Sequence, residues 1–148
     1  MERGEGLARL EVLVGEWTLE ATMPTGEPLA GSGRSTFEWH DSHAFLVQRS
    51  TIQTPNAPDS VSLIGYDDTN ETFVQLYSDD RGVRRIYEMR LGRNEWTLQR
   101  EGHPFPQRFV GAISADGNTI VGRWEKAEHG LDFTIDFHLT YRRTASKQ

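Results

Sequence analysis

Residues 83–100 read Val83-Arg84-Arg85-Ile86-Tyr87-Glu88-Met89-Arg90-Leu91-Gly92-Arg93-Asn94-Glu95-Trp96-Thr97-Leu98-Gln99-Arg100. Val83, Arg85, Tyr87, Met89 and Leu91 share one phase of a period-two pattern, and Trp96, Leu98 and Arg100 share the phase of the next run. A strand sends alternate side chains to opposite faces, so each run predicts a strand with one buried and one wet face. Gly92-Arg93-Asn94-Glu95 carries turn chemistry between them. The stretch is a β-hairpin.

The same grammar continues outward in both directions. Turn signals stand at Asp67 to Glu71, Asp79 to Gly82, His103 to Pro106, Ala115 to Asn118 and Ala127 to Gly130. Their centres recur about every 11 to 13 residues, the spacing of an antiparallel meander. Phe133, Ile135, Phe137, Leu139 and Tyr141 form the last alternating run, which assigns them to the inner face and Asp136, His138 and Thr140 to the outer one. Upstream, Glu16 to Met23, Ser32 to Trp39 and Ala44 to Gln53 read as further strands, for a total of about ten. Only Leu7 to Val14 reads as helical, with Leu7, Leu10 and Val14 at helical spacing. An open sheet of this kind leaves two unpaired edges, and closure removes both. The expected fold is all-β: a closed antiparallel up-and-down β-barrel with a short N-terminal helical turn. A barrel wider than eight strands can keep a cavity that side chains do not fill.

The chain has 148 residues, room for a single domain spanning 1–148, and no cysteine. Absent cysteine removes thiol chemistry and thiolate metal sites and fits a reducing cytoplasm. The first residues hold no apolar signal core, and no run approaches the roughly 20 apolar residues of a membrane span. The net charge is −6 with both signs mixed, so neither nucleic acid nor membrane is an expected partner. Small molecules or a second copy of the chain are the expected ones.

Candidate site residues follow from register. A hairpin turn at Asp79 to Gly82 sets Arg85 opposite Tyr77 and Tyr87 opposite Gln75. Arg100 then falls opposite Arg85 or one pair from it. These residues, with Trp96, are assigned to the barrel interior. Opposed Cβ atoms on one face lie about 5 Å apart, where two guanidinium charges repel by about 3 kcal/mol at an effective dielectric near 20. Arginine does not escape by losing its proton. An anion or a strong acceptor is therefore expected between Arg85 and Arg100, with Tyr77 or Tyr87 adding a donor; the alternative is that both heads reach water or pair with Glu38, Asp67 or Asp79. Arg108 is assigned outward because Phe109, Gly111 and Ile113 make the stronger inner set, and Arg49 is undecided.

Other motifs carry less. His40 and His43 flank a turn without a third ligand, and His103 and His129 sit in loops, so no metal site is expected. Asp67-Asp68 and Asp79-Asp80 read as turn-stabilising side chains rather than calcium ligands. Gly111 to Ala115 departs from a nucleophile elbow. Gly33 follows Gly31-Ser32 where a strand bends at a barrel corner. Trp39, Trp96 and Trp124 are candidate cavity aromatics.

Gly15-Glu16-Trp17, just after the helical turn, resembles the Gly-x-Trp opening of the calycins, the lipocalins and fatty-acid-binding proteins among them. The resemblance implies a glycine at the turn into the first strand and a tryptophan plugging the barrel floor. It also implies a basic residue of the last strand, Arg142 or Arg143, packed on that ring, with Arg142 taken as the structural partner. Only Pro24 to Pro28 stands where fatty-acid-binding proteins insert a helical lid. The chain is more similar to lidless bacterial calycin-like barrels of unknown function, through Gly65-Tyr66-Asp67-Asp68, Arg81-Gly82-Val83 and Gly122-Arg123-Trp124-Glu125, and to nitrobindins. The nitrobindin likeness implies haem on His138, which the strand phase instead places outside the cavity.

The expected function is binding of a small amphipathic, anionic molecule inside the barrel, with no cofactor. One alternative is a calycin-type enzyme, an isomerase or lyase, in which Tyr87 is a general acid whose pKa the Arg85 charge lowers. The other is a haem binder. Apolar groups on both faces of Val61 to Tyr66 and of Val74 and Leu76 would serve a homodimer surface.

Overall fold

A computed structural model of the chain describes residues 3–28, 33–52, 58–128 and 132–144. Its strands are β1 (Gly15–Thr22), β2 (Gly33–Trp39), β3 (Leu46–Ile52), β4 (Ser60–Asp67), β5 (Thr72–Asp79), β6 (Arg84–Leu91), β7 (Glu95–Arg100), β8 (Gln107–Ile113), β9 (Thr119–Lys126) and β10 (Thr134–Arg143). Each pairs antiparallel with its sequence neighbours, and β1 pairs with β10 to close the barrel. Closure leaves no strand edge to template another chain. The helical segment starts earlier than its apolar spacing suggests. It comprises α1 (Arg3–Ala8) and a 3-10 helix at Arg9–Leu13. No helix among the described residues is long and apolar enough to cross a membrane.

One end of the barrel is packed solid. Leu10 and Leu13 of the helical segment are fully buried against Trp17, Phe37, Leu46, Ile64 and Met89. The Trp17 indole donates to the Leu13 carbonyl at 3.0 Å, so the ring is a plug at the floor. The cation on it is Arg143, whose Cζ lies 4.1 Å from the ring centroid, and not Arg142. Register decides between them: Arg143 stands opposite inward-facing Trp17, whereas Arg142 stands opposite Thr18 and reaches Glu20 on the outside at 3.6 Å. Arg143 also donates to the carbonyls of Val14 at 2.5 Å, Val12 at 2.8 Å and Gly117 at 3.0 Å, and to Asn118 Oδ1 at 3.1 Å. Gly15 adopts φ 133°, and a Cβ there would lie 2.6 Å from the Arg143 guanidinium. The glycine is needed both for its backbone angle and for that approach.

The last strand departs from the expected alternation. A β-bulge lies between Ile135, which pairs with Glu125, and Phe137, which pairs with Trp124. A bulge inserts one residue and reverses the phase behind it. Phe137, Leu139 and Tyr141 face inward as expected. Ile135 is instead 39% exposed, and Phe133 lies under the Arg108 guanidinium at 4.0 Å on the outer wall. The displaced residue, Asp136, joins the cavity lining.

On the outside, Val47, Leu63, Leu76 and Ile86 pair in sequence across β3, β4, β5 and β6 and form one apolar row. Val61 extends it, whereas Ile64 is fully buried inside the barrel.

Candidate functional site

Above the packed floor the barrel encloses a cavity of about 500 Å³. Its walls differ in chemistry. Strands β8 to β10 with β7 contribute Trp96, Phe109, Trp124, Phe137 and Tyr141. Trp96 meets Phe109 and Tyr141 edge to face, with ring centroids 5.0 Å and 5.6 Å apart, and Phe109 lies tilted against Trp124 at 5.3 Å. Phe109 lies so close over Gly122 that a Cβ there would stand 2.5 Å from its ring. Trp39 lies elsewhere: it is only half-buried and bonds Glu11 at 3.4 Å, outside the cavity lining.

The facing wall, from β3, β4 and β5, is polar and uncharged. Gln48, Ser50, Ser60, Ser62 and Gln75 line it. Gln48 Nε2 donates to Ser35 Oγ at 3.1 Å and Ser50 Oγ at 3.4 Å, and Gln75 Nε2 donates to Ser62 Oγ at 3.3 Å. Those bonds leave the amide oxygens of both glutamines, and the Trp96 indole nitrogen, buried with no partner among the described residues. Burial pushes the Tyr141 phenol up to about 12, while the Gln48 amide at its oxygen acts the other way.

The charged groups cluster at the upper end. Tyr77 pairs with Arg85 and Gln75 with Tyr87 across the β5–β6 hairpin, as the turn position requires. Pairing of Glu88 with Gln99 sets Arg100 level with Tyr87, one pair from Arg85. The acceptor between the two arginines belongs to the protein. Gln107 Oε1 takes hydrogen bonds from Arg85 Nη1 at 2.8 Å, Arg100 Nη1 at 3.3 Å and the Tyr87 hydroxyl at 3.4 Å. Arg85 lines the cavity, and Arg100 does not. The Arg100 guanidinium is directed at the 101–106 loop, where it donates to the Phe105 carbonyl at 2.9 Å and the His103 carbonyl at 2.5 Å. Neither arginine has a carboxylate within ion-pair distance among the described residues.

The other charges at this end are matched. Asp79 Oδ2 accepts from Arg81 Nη2 at 2.7 Å and from the Tyr77 hydroxyl at 2.7 Å, and its Oδ1 accepts from the Arg81 and Val83 amides. The Arg81 guanidinium holds the Asp79 carboxyl well below the usual carboxylate range, with the Tyr77 hydroxyl adding to it against burial. Burial first, and then the bond to Asp79, raises the Tyr77 phenol, so this hydroxyl is committed to the hairpin. Asp136 lies 3.5 Å from Lys126 Nζ, which also holds Glu128 at 2.9 Å. The Tyr87 phenol is raised by burial, which outweighs the opposing charges of Arg85 and Arg100. The expected depression of its pKa is therefore reversed.

Arg108 faces out and bonds Glu125, which Arg123 also holds at 2.7 Å. Arg49 is exposed on the outer wall opposite Val61. His138 pairs with Arg123 on the outer face, in the phase opposite to Phe137 and Leu139. It presents no nitrogen to the cavity, and the residues present do not fit a haem ligated from that position. His40 Nδ1 bonds Ser42 in its turn; His129 lies outside the described residues. Asp67 and Asp79 each accept backbone amides of their own turns. A Cβ on Gly33 would meet Leu19 at 3.0 Å and the Thr51 carbonyl at 3.1 Å, a close strand approach at that corner.

Sequence reasoning missed Gln107, Gln48 and Asp136. The first two were reachable: Gln107 shares the phase of Phe109 and Gly111, and Gln48 shares that of Leu46 and Ser50. Asp136 had no signal.

A crystal structure of Rv2717c from M. tuberculosis superposes with a TM-score of 0.65 at 12% sequence identity, covering 95% of this chain and 98% of that one. The likeness is one of fold. No protein-family description and no curated protein sequence matches the chain.

Proposed function

We propose that the barrel is a non-catalytic receptor for one small amphipathic anion, held with its apolar body against the aromatic wall and its acidic group at Arg85. The observation that carries this reading is the state of Arg85. It is a half-buried guanidinium in the cavity lining whose one hydrogen bond among the described residues is to a neutral amide oxygen. A half-buried charge with only a neutral partner leaves favourable electrostatic energy for an incoming carboxylate to recover. Arg81 and Lys126 already have carboxylates, so the net positive excess of this end belongs to Arg85 and Arg100. A volume of about 500 Å³ falls within the range of small-molecule sites. No cofactor is needed, and the mixed-sign exterior favours neither nucleic acid nor membrane as a partner.

Catalysis is the weaker reading because Tyr87 stays protonated and its hydroxyl donates to Gln107. Asp136, the carboxylate of the lining, is paired with Lys126.

Titration of the protein's tryptophan fluorescence with aryl carboxylates is the test. Arg85→Met is expected to weaken binding at least about tenfold, the effect of losing a charge-assisted hydrogen bond. Unchanged affinity in this variant removes the anion from the proposal.

A further inference from the structure

Resting on the receptor reading, we infer that Gln107 is the specificity-determining residue of the site: its amide stands in for the ligand's acid group, and a carboxylate binds by taking the place of that amide between Arg85 and Arg100. The inference rests on how donors and acceptors match at one point of the upper cavity. Gln107 is the first residue of β8 and pairs with Arg100 of β7, which is level with Tyr87 of β6. Three neighbouring strands thus set three polar side chains in one row. Arg85 reaches the same point from two residues along β6.

The amide oxygen is shared among more donors than it serves well. Arg85 Nη1 lies at 2.8 Å, but Arg100 Nη1 at 3.3 Å and the Tyr87 hydroxyl at 3.4 Å are at the long end of hydrogen bonding. A carbonyl oxygen has two lone pairs, and three donors converge on this one. The amide has one workable orientation. A guanidinium only donates, so the amide nitrogen cannot face the two arginines. What the amide lacks is charge. A carboxylate has the same planar shape, brings a second oxygen, and makes charge-assisted bonds roughly twice as strong as those of a neutral acceptor. It also offsets the repulsion between two guanidinium groups that bond the same atom, which a neutral oxygen does less well. The place is open to an incoming acid, because Gln107, Arg85 and Tyr87 all line the cavity. Arg100 is held from behind, with its guanidinium tied to the carbonyls of His103 and Phe105. Donors on anchored side chains and a neutral acceptor on a flexible one make Gln107 the group that yields.

The test compares 1-naphthaleneacetate with 1-naphthaleneacetamide, its neutral isostere, and reads the ratio of the two affinities. Gln107→Glu places a carboxylate between the arginines in advance, so it is expected to lower the acid-to-amide ratio at least about tenfold. The same variant is expected to raise the Tm of the unliganded protein. Gln107→Leu removes the competing acceptor and is expected to raise the ratio at least about threefold. Gln107→Asn, whose amide is too short to reach the row, is expected to move it in the same direction with polarity kept. A ratio that falls in the Leu and Asn variants as well shows that Gln107 merely positions Arg85, and overturns the stand-in. An unchanged ratio in Gln107→Glu also overturns it, while the anion reading stands on the unmodified protein's preference for the acid. Equal binding of acid and amide by the unmodified protein overturns the anion reading and this inference with it. Failure to bind either probe overturns the receptor itself.

Discussion

Asp79 shows how one side chain can serve the site without meeting a ligand. Its carboxylate side chain is fully inaccessible and joins Arg81, Tyr77 and two backbone amides of its own hairpin turn. Arg81 is the main reason its pKa lies below the ordinary carboxylate value. A depressed folded pKa means that the unfolded chain takes up the proton first. The stabilisation is then complete above a pH of about 4 and is lost as pH falls through the folded value. Asp79→Asn is expected to cost roughly 1–2 kcal/mol at pH 7, the loss of charge-assisted bonds with the turn acceptor kept. In urea unfolding at pH 7 and pH 3, the gap between the two proteins should narrow at the lower pH. A gap that widens there contradicts the assignment. The positions of Tyr77, Gln75, Tyr87 and Arg85 were legible because a hairpin turn and strict alternation fix both register and facing. The bond of Tyr77 to Asp79 was not, since it depends on rotamers two residues apart on one strand. Nor was the capture of Arg85 by Gln107, which comes from a strand two places round the barrel.

Among the elements, β10 marks the limit of a period-two reading. Alternation predicts facing only while each residue has one partner, and the bulge at Asp136 gives it none. No glycine or proline announces it, so Phe133 and Ile135 look in sequence like their neighbours Phe137 and Leu139. Bulges re-aim side chains, and this one places a carboxylate in the cavity lining beside Lys126. On the adjacent pair of strands, Gly111 and Gly122 face each other, and the Phe109 ring occupies the space their missing side chains leave. Gly122→Ala would drive a methyl into that ring at 2.5 Å and the Leu139 carbonyl at 3.2 Å. Overpacking of this kind typically costs about 1–3 kcal/mol. It should also turn Phe109 into the cavity. Thermal unfolding reports the first effect, and weaker binding of an aryl carboxylate reports the second. Arg100 acts on the β7–β8 connection, because its guanidinium ties two loop carbonyls to the barrel wall. Arg100→Met should raise amide hydrogen exchange within 101–106 while β6 and β9 keep their protection. Equal exchange in the two proteins would show that the loop holds without it.

At the level of the whole molecule, the floor and the cavity divide the work of the fold. Floor and cavity wall share one core cluster, but the Arg143 staple binds Trp17, Val12, Val14, Gly117 and Asn118, none of which lines the cavity. Removing the staple should therefore act on stability alone. Arg143→Met strands several carbonyls and strips the Trp17 ring of its cation, an expected loss of about 2–4 kcal/mol, and affinity for a bound probe should stay within about twofold. A ligand acts in the opposite way, by linkage through the upper half. An aryl carboxylate at about a hundred times its dissociation constant should add about 2.7 kcal/mol. For a chain of this size that corresponds to a rise in Tm of roughly 5–11 °C. Because every strand pairs with two neighbours and no edge is free, the rise should appear in one transition, the same by near-ultraviolet and far-ultraviolet circular dichroism. Arg85→Met should abolish the rise and leave the unliganded Tm within a few degrees, whereas Arg143→Met should lower the unliganded Tm and keep the rise. If instead both variants lose stability and binding together, floor and cavity are a single energetic unit, and the independence argued from the packing is wrong.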